Sequence, residues 1–167
     1  MQNRLFLSFV STPLGEMISI SDLQSLYMLE YADNPNLETK LKNLAETYEI
    51  IEQKSEIIES LELELEEYFE GELRSFKTPV HLIGTDFQQK CWHYLASIEY
   101  GHTVSYKMEA LAVGQARASR AVANANKMNR LAIIIPCHRV IASNGLLGGY
   151  DGGIYRKESL LKLERGK

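Results

Sequence analysis

The sequence predicts an α+β protein in two parts: a small α/β half over residues 1–78, and a mostly helical half over residues 79–167 that contains a helix-turn-helix. Three observations carry this reading. Short strand-like runs separated by turn residues open the chain. An acidic helical stretch then ends in a segment with Gly71, Pro79, Gly84 and no clear period, and after it helix start signals recur.

Taken in order, "RLFLSF", "MISIS" and "LYMLEYA" show partial period-two alternation, with Pro13 and Gly15 of "STPLGE" in turn positions, and read as a short antiparallel meander. From Ser55 to Glu70, Ile57, Leu61, Leu65 and Tyr68/Phe69 recur three or four residues apart, which is the apolar stripe of an amphipathic helix with glutamates on its wet side. "TDFQQKCWHYLASI" offers Thr85 or Asp86 as an N-cap before Phe87, Cys91/Trp92, Leu95 and Ile98, so a helix of about a dozen residues is expected. "VSYKMEALAV", capped by Ser105, and "ARASRAVANANKM" flank Gly114 as the two helices of a helix-turn-helix. The second turns Arg117, Arg120, Asn124 and Lys127 onto one face and the small residues Ala118, Ala121, Val122 and Ala125 onto the other. "IYRKESLLKLERGK" closes the chain as a helix with Leu160, Leu161 and Leu163 inward.

The totals narrow the function classes. At 167 residues and 45% apolar, the chain can fill a core, which argues against disorder along its whole length. No run of about 18 apolar residues occurs, and Asn3, Arg4, Pro13, Gly15 and Glu16 interrupt the first twenty, so neither a spanning helix nor a signal peptide is expected, and a cytoplasmic site is. Two cysteines, Cys91 and Cys137, are too few for a disulfide framework and lack zinc-like spacing. Cys91 lies on an apolar helix face and reads as an inert core thiol. The net charge of −4 hides a split: residues 38–72 carry twelve glutamates, whereas residues 110–150 carry Arg117, Arg120, Lys127, Arg130 and Arg139 and no acid. The second block could face phosphate.

"IIIPCHRV" sets Cys137 beside His138 and Arg139, ahead of the glycine-rich "GLLGGYDGG". A nucleophilic thiol needs a base or a positive environment to become thiolate. Adjacency in sequence does not guarantee contact, and a buried cysteine next to a histidine that caps a turn fits the residues as well.

These strings closely resemble the signature of the methylated-DNA–protein-cysteine methyltransferases, the O6-alkylguanine-DNA alkyltransferases. "GTDFQQKCWHYL", "GHTVSY", "SRAVANANKMN", "IIIPCHRVI" and "LLKLE" stand in the family's order over residues 84–164, and "TPLG" and "EYFEGEL" match more loosely. The resemblance implies an RNase H-like N-terminal half and repair of O6-methylguanine by irreversible single-turnover transfer to Cys137; whether O4-methylthymine is a further substrate is not set by the sequence. It implies that His138 is the base, that Glu164 orients it, that Asn129 braces the turn before the cysteine, and that Tyr106 hydrogen-bonds the departing guanine. Arg120 would enter the duplex in place of a flipped nucleotide, with Ser105, Arg117, Ala121, Asn124 and Lys127 along the DNA. Val140, Gly148, Tyr150 and Asp151 would form the substrate pocket. The implied partner is double-stranded DNA containing O6-alkylguanine, met by a monomer that needs no cofactor and no membrane and is nucleoid-associated if bacterial. Some relatives hold zinc in the N-terminal half. No cysteine precedes Cys91 here, so no metal is expected. Ala116, Arg130 and Ala132 stand where the family often has prolines, and "IEYG" replaces "IPxG", which leaves those turns less rigid. The alternative from another class is a non-catalytic alkylated-DNA-binding protein, against which Cys137 itself argues. A thiol hydrolase would leave the helix-turn-helix and Arg120 without a task.

Overall fold

Arg4–Thr12 (β1) and Gly15–Ser21 (β2) form an antiparallel hairpin. Thr12 closes its turn: its hydroxyl donates to the Gly15 carbonyl at 2.7 Å and accepts from the Leu14 N–H. The computed structural model describes residues 3–166 and divides between His81 and Leu82 into two units. In the first, Leu26–Tyr31 (β3) adds to β2, completing the predicted meander. The run Met17–Ser21 and all of β3 are buried without alternation, because both faces of these strands are covered.

Two elements here had no sequence expectation. Leu37–Ala45 (α1) buries Leu37, Lys40 and Leu44, and a lysine inside the stripe conceals its period. Lys40 Nζ lies 2.6 Å from the Glu30 carboxylate of β3, a buried ion pair that ties the helix to the sheet. Glu49–Glu52 (β4) pairs in parallel with β1, giving the sheet order β3-β2-β1-β4, and four residues with glutamate at both ends carry no local strand signal. Glu56–Phe69 (α2) begins where expected, Ser55 capping the Ile58 N–H. Its buried stripe is Ile58, Leu61, Leu65 and Tyr68, so Ile58 takes the inner position expected of Ile57. The first unit runs on to His81 because Leu26 exchanges backbone hydrogen bonds of 2.8 Å with Pro79 and His81.

The second unit is mostly helical. Asp86–Ala96 (α3) starts from a capping box in which Thr85 and Gln88 satisfy each other's backbone N–H groups. Gly84 is required just before it, since a Cβ there would meet the Trp92 ring at 2.5 Å. Val104–Ser105 (β5) leads into Tyr106–Ala112 (α4), capped by Ser105, and Gly114 turns the chain toward Ser119–Lys127 (α5). Cys91, Ala110, Val113, Val122 and Ala125 form the core of this helix trio, with Phe87, Tyr94 and Tyr106 against it. Trp92 Nε1 donates to the Ala125 carbonyl at 2.9 Å and locks α3 to α5. Cys137–Arg139 forms a 3-10 turn, Val140–Ile141 (β6) pairs in parallel with β5, and Ile154–Glu164 (α6) ends the unit with Leu160 and Leu161 buried and Leu163 half-buried. None of the described helices is long and apolar enough to cross a membrane.

Candidate active site

The β5-β6 ladder pairs Val104 with Val140 and Ser105 with Ile141. It sets Tyr106, the first residue of α4, near the turn that carries Cys137, His138 and Arg139. The run before the cysteine is a series of turns in which Cys137 N–H donates to the Ile135 carbonyl at 2.8 Å, and the acceptor candidate itself sits on a 3-10 turn. Ile133 has φ of 73°, a left-handed conformation that a β-branched residue holds only when its surroundings force it. Asn129 supplies part of that force. Buried between these turns, it donates from Nδ2 to the Ile135 carbonyl at 2.9 Å and accepts the Leu131 N–H at 2.9 Å, and the same Nδ2 reaches the Cys137 sulfur at 3.5 Å.

His138 is fully buried, with Nε2 2.7 Å from Glu164 Oε2. With Nε2 donating to that carboxylate, the neutral ring carries its lone pair on Nδ1, which is buried and has no hydrogen-bond partner among the described residues. Burial lowers the histidine pKa, and although the Glu164 bond works the other way, the charges of Arg139 and Lys157 add to the lowering. Burial alone would raise the Glu164 carboxyl, but the hydrogen bonds from His138 and Arg139, reinforced by their charges, hold it well below the usual carboxylate range. The site thus contains a neutral imidazole, a fixed carboxylate and a half-buried thiol.

The glycine-rich segment is tied down from α6 and α4. Lys157 Nζ donates to the Gly149 carbonyl at 3.0 Å, Tyr106 hydroxyl to the same oxygen at 3.3 Å, and Arg156 to the Gly152 carbonyl at 3.0 Å. Gly148, at φ of 71°, lies so close to Tyr106 that a Cβ would sit 3.0 Å from its ring. Gly148, Tyr150 and Asp151 are half-exposed, and Val140 is fully buried in its ladder. Burial, followed by the charge of Cys137, pushes the Tyr106 hydroxyl upward.

On the helix-turn-helix, Arg120, Ala121, Asn124 and Lys127 are exposed along α5. Two details differ from expectation. Arg117 lies in the turn before the helix, since Ala118 bonds back to Gln115 and α5 starts only at Ser119. Ala121 stands on the wet face beside Arg120, leaving Val122 and Ala125 to the core. Ser105 is half-buried, its hydroxyl accepting the Met108 N–H at 3.0 Å. Of the five cations in residues 110–150, Arg130 is half-buried with Nη1 bonded to the Ile83 carbonyl at 2.8 Å, and Arg139 is buried. The outward set is Arg117, Arg120 and Lys127.

Four residues of the second unit had no expected catalytic role. Lys157 is fully buried, 5.7 Å from the Tyr106 ring centre, and burial pushes it down to about 8 against the charge of Cys137. Arg139 grips Glu164. Glu109 and Asn126 pair inside the helix trio at 2.7 Å. A signal for Lys157 exists in the sequence: Lys157, Leu160, Leu161 and Glu164 share one helical face, which puts charge in an apolar stripe. Among the described residues no group of three or more His, Cys, Asp or Glu could hold a metal ion.

Comparison with known proteins gives the same picture at both ends of the chain. Residues 5–82 match the family described as "6-O-methylguanine DNA methyltransferase, ribonuclease-like domain", and residues 86–166 match the "DNA binding domain" of that name. The methylated-DNA–protein-cysteine methyltransferase of Methanosarcina barkeri is 41% identical over 160 residues, spanning 96% of this chain and 97% of its own. The constitutive enzyme of Bacillus subtilis is 40% identical over 156 residues, 92% of each. The crystal structure of the Mycobacterium tuberculosis O6-methylguanine methyltransferase superposes with a TM-score of 0.83 at 35% identity, covering 97% of this chain and 93% of that one. The same enzyme in complex with DNA gives 0.83 at 35%, covering 98% and 93%.

Proposed function

This chain belongs to the 6-O-methylguanine DNA methyltransferase family, and from that membership we propose that Cys137 is the residue that receives the alkyl group. The protein is a methylated-DNA–protein-cysteine methyltransferase that binds DNA and repairs O6-methylguanine. Within that activity, the proposed substrate is duplex DNA carrying O6-alkylguanine, and the proposed steps use residues of the second unit.

The observation that carries the assignment is the group Cys137, His138 and Glu164. A neutral, buried imidazole, oriented through Nε2 by a carboxylate 2.7 Å away, keeps a lone pair on Nδ1 for the thiol proton. The thiolate attacks the alkyl carbon, the S–C bond forms as the C–O6 bond breaks, and the electron pair leaves with guanine. Tyr106 lends its hydroxyl to the departing base. The proton taken by His138 passes on to the departing guanine, which leaves neutral, and the alkyl group stays as a thioether, so each molecule acts once and no cofactor enters the balance. Asn129 holds the turn, Val140, Gly148, Tyr150 and Asp151 wall the pocket, and Arg120 fills the stack after the nucleotide is flipped. Arg117, Asn124, Lys127, Ala121 and Ser105 lie along the backbone, where an alanine-bearing helix reads little sequence, as an enzyme directed by a lesion requires.

The test is mass spectrometry after mixing the protein with O6-methylguanine duplex. A gain of one methyl on the peptide containing Cys137 is expected, and Cys137→Ala should abolish it while DNA binding persists. Methyl on any other residue would remove the assignment.

A further inference from the structure

We propose that Arg139 is a positioning residue for alkyl transfer: its two-point grip on Glu164 keeps that carboxylate from drawing a proton onto His138, so the imidazole stays neutral and able to act as base. This rests on the roles of Cys137 and His138 given above.

Arg139 cannot be a phosphate contact, because its donors point inward. Nε lies 2.8 Å from Glu164 Oε1 and Nη2 3.0 Å from Oε2, while Nη1 donates to the Ile98 carbonyl at 2.6 Å. The guanidinium also lies 5.7 Å from the centre of the Tyr100 ring. Oε2 therefore accepts from both Arg139 and His138. A planar fork suits this task, since a lysine could hold one oxygen but not both.

The consequence is a balance of charge. A buried histidine alone beside a carboxylate gains a proton readily, because the pair is then neutral and the lone anion is costly. With Arg139 in place, carboxylate and guanidinium already cancel. Protonating His138 would add an unmatched positive charge in a buried site, where Lys157 stands as well. The charged groups acting on the ring are Glu164 and Lys157 from α6 and Arg139 from its own turn, with the Cys137 thiol next to it in the chain. Arg139 thus sets which proton state Glu164 favours, apart from fixing where it points.

The experiment is the pH dependence of the single-turnover transfer rate from O6-methylguanine duplex, for the wild type, Arg139→Lys, Arg139→Met and the double variant Arg139→Met/Glu164→Gln. Histidine ring NMR titrations of the same proteins accompany it. In Arg139→Met the acid limb of the rate and the His138 titration should both move up by about one unit or more. Arg139→Lys should move them less, in the same direction, and the double variant should bring them back down. Slower variants whose acid limb stays in place would overturn the proposal and make Arg139 purely structural. If Arg139→Met does not fold, Arg139→Lys decides alone: an unmoved limb overturns the proposal. Should the wild type fail to methylate Cys137, the assignment of the acceptor falls, which is a different result from methylation with an immobile limb.

Discussion

A sulfur cannot approach the O6-alkyl carbon of a stacked guanine in line, so the flipping role proposed for Arg120, exposed near the start of α5, is separable from the chemistry. Arg120→Ala should slow repair of duplex by about tenfold or more, the cost of an unfilled gap being at least about 1.4 kcal/mol. Reaction with free O6-benzylguanine, which needs no flipping, should stay nearly unchanged. Equal losses in the two rates would remove the role. At this scale, what could be read from the sequence depended on the kind of residue. Cys137 and His138 stand in a motif of adjacent residues and could be singled out. The partners that set their protonation were legible only in part: Lys157 shows as a charge in an apolar stripe and Arg139 as a cation beside the motif, but their purpose appears only in the folded site, where Arg139 meets Glu164 from 25 residues away.

The helix pair that presents Arg120 has a weak point of its own. Glu109 of α4 is fully buried, its Oε1 accepting from Asn126 of α5, while its Oε2 and the Asn126 Oδ1 have no hydrogen-bond partner among the described residues. An ionised carboxyl bears the full cost of a buried oxygen without a hydrogen bond, and the neutral acid bears less. Burial, only partly offset by the Asn126 bond, pushes the carboxyl from 4.5 up to about 7. The folded state therefore holds a proton that the unfolded chain has released. Its stabilising contribution is complete below about 4.5 and is lost as pH rises through about 7. Thermal unfolding should show stability falling between those values. Glu109→Gln, which mimics the protonated acid, should flatten that fall and gain on the order of 2 kcal/mol at pH 8. An unchanged slope in the variant would place the proton elsewhere.

Element signals divided along the same physical line. The helices with caps and continuous stripes, α2 and α3, stand where Ser55 and Thr85 put them. α1 and β4 are held by partners far along the chain, Glu30 for one and β1 for the other, and nothing local announces them. Arg117 fell outside α5 because the step of three that links it to Arg120 continues through a turn as readily as through a helix.

For the whole molecule, a net charge of −4 meets a polyanion, so binding depends on where the cations point. Inward Arg130 and Arg139 leave Arg117, Arg120 and Lys127 on the outer face of residues 110–150. If these three are the phosphate contacts, the logarithm of DNA affinity should fall against the logarithm of salt concentration with a slope of about 3, measurable by fluorescence anisotropy over a salt series. Lys127→Ala should lower it by about 1. A slope near zero would mean that the helix face is not the DNA surface. The two-part plan, strands first and helices after, was legible from period and turns alone. The crossing of residue 104 with residue 140 was not, since two-residue strands leave no pattern.

That small parallel ladder has one more consequence. Residues 106–139 leave it at Tyr106 and come back to it just past Cys137, so the excursion that carries α4 and α5 begins and ends at the residues proposed for the chemistry. Its far end is the turn at Gly114–Ala118, exposed from Gly114 to Arg117. On the roles proposed above the stretch is a cassette, its outer turn set apart along the chain from the chemistry at its base.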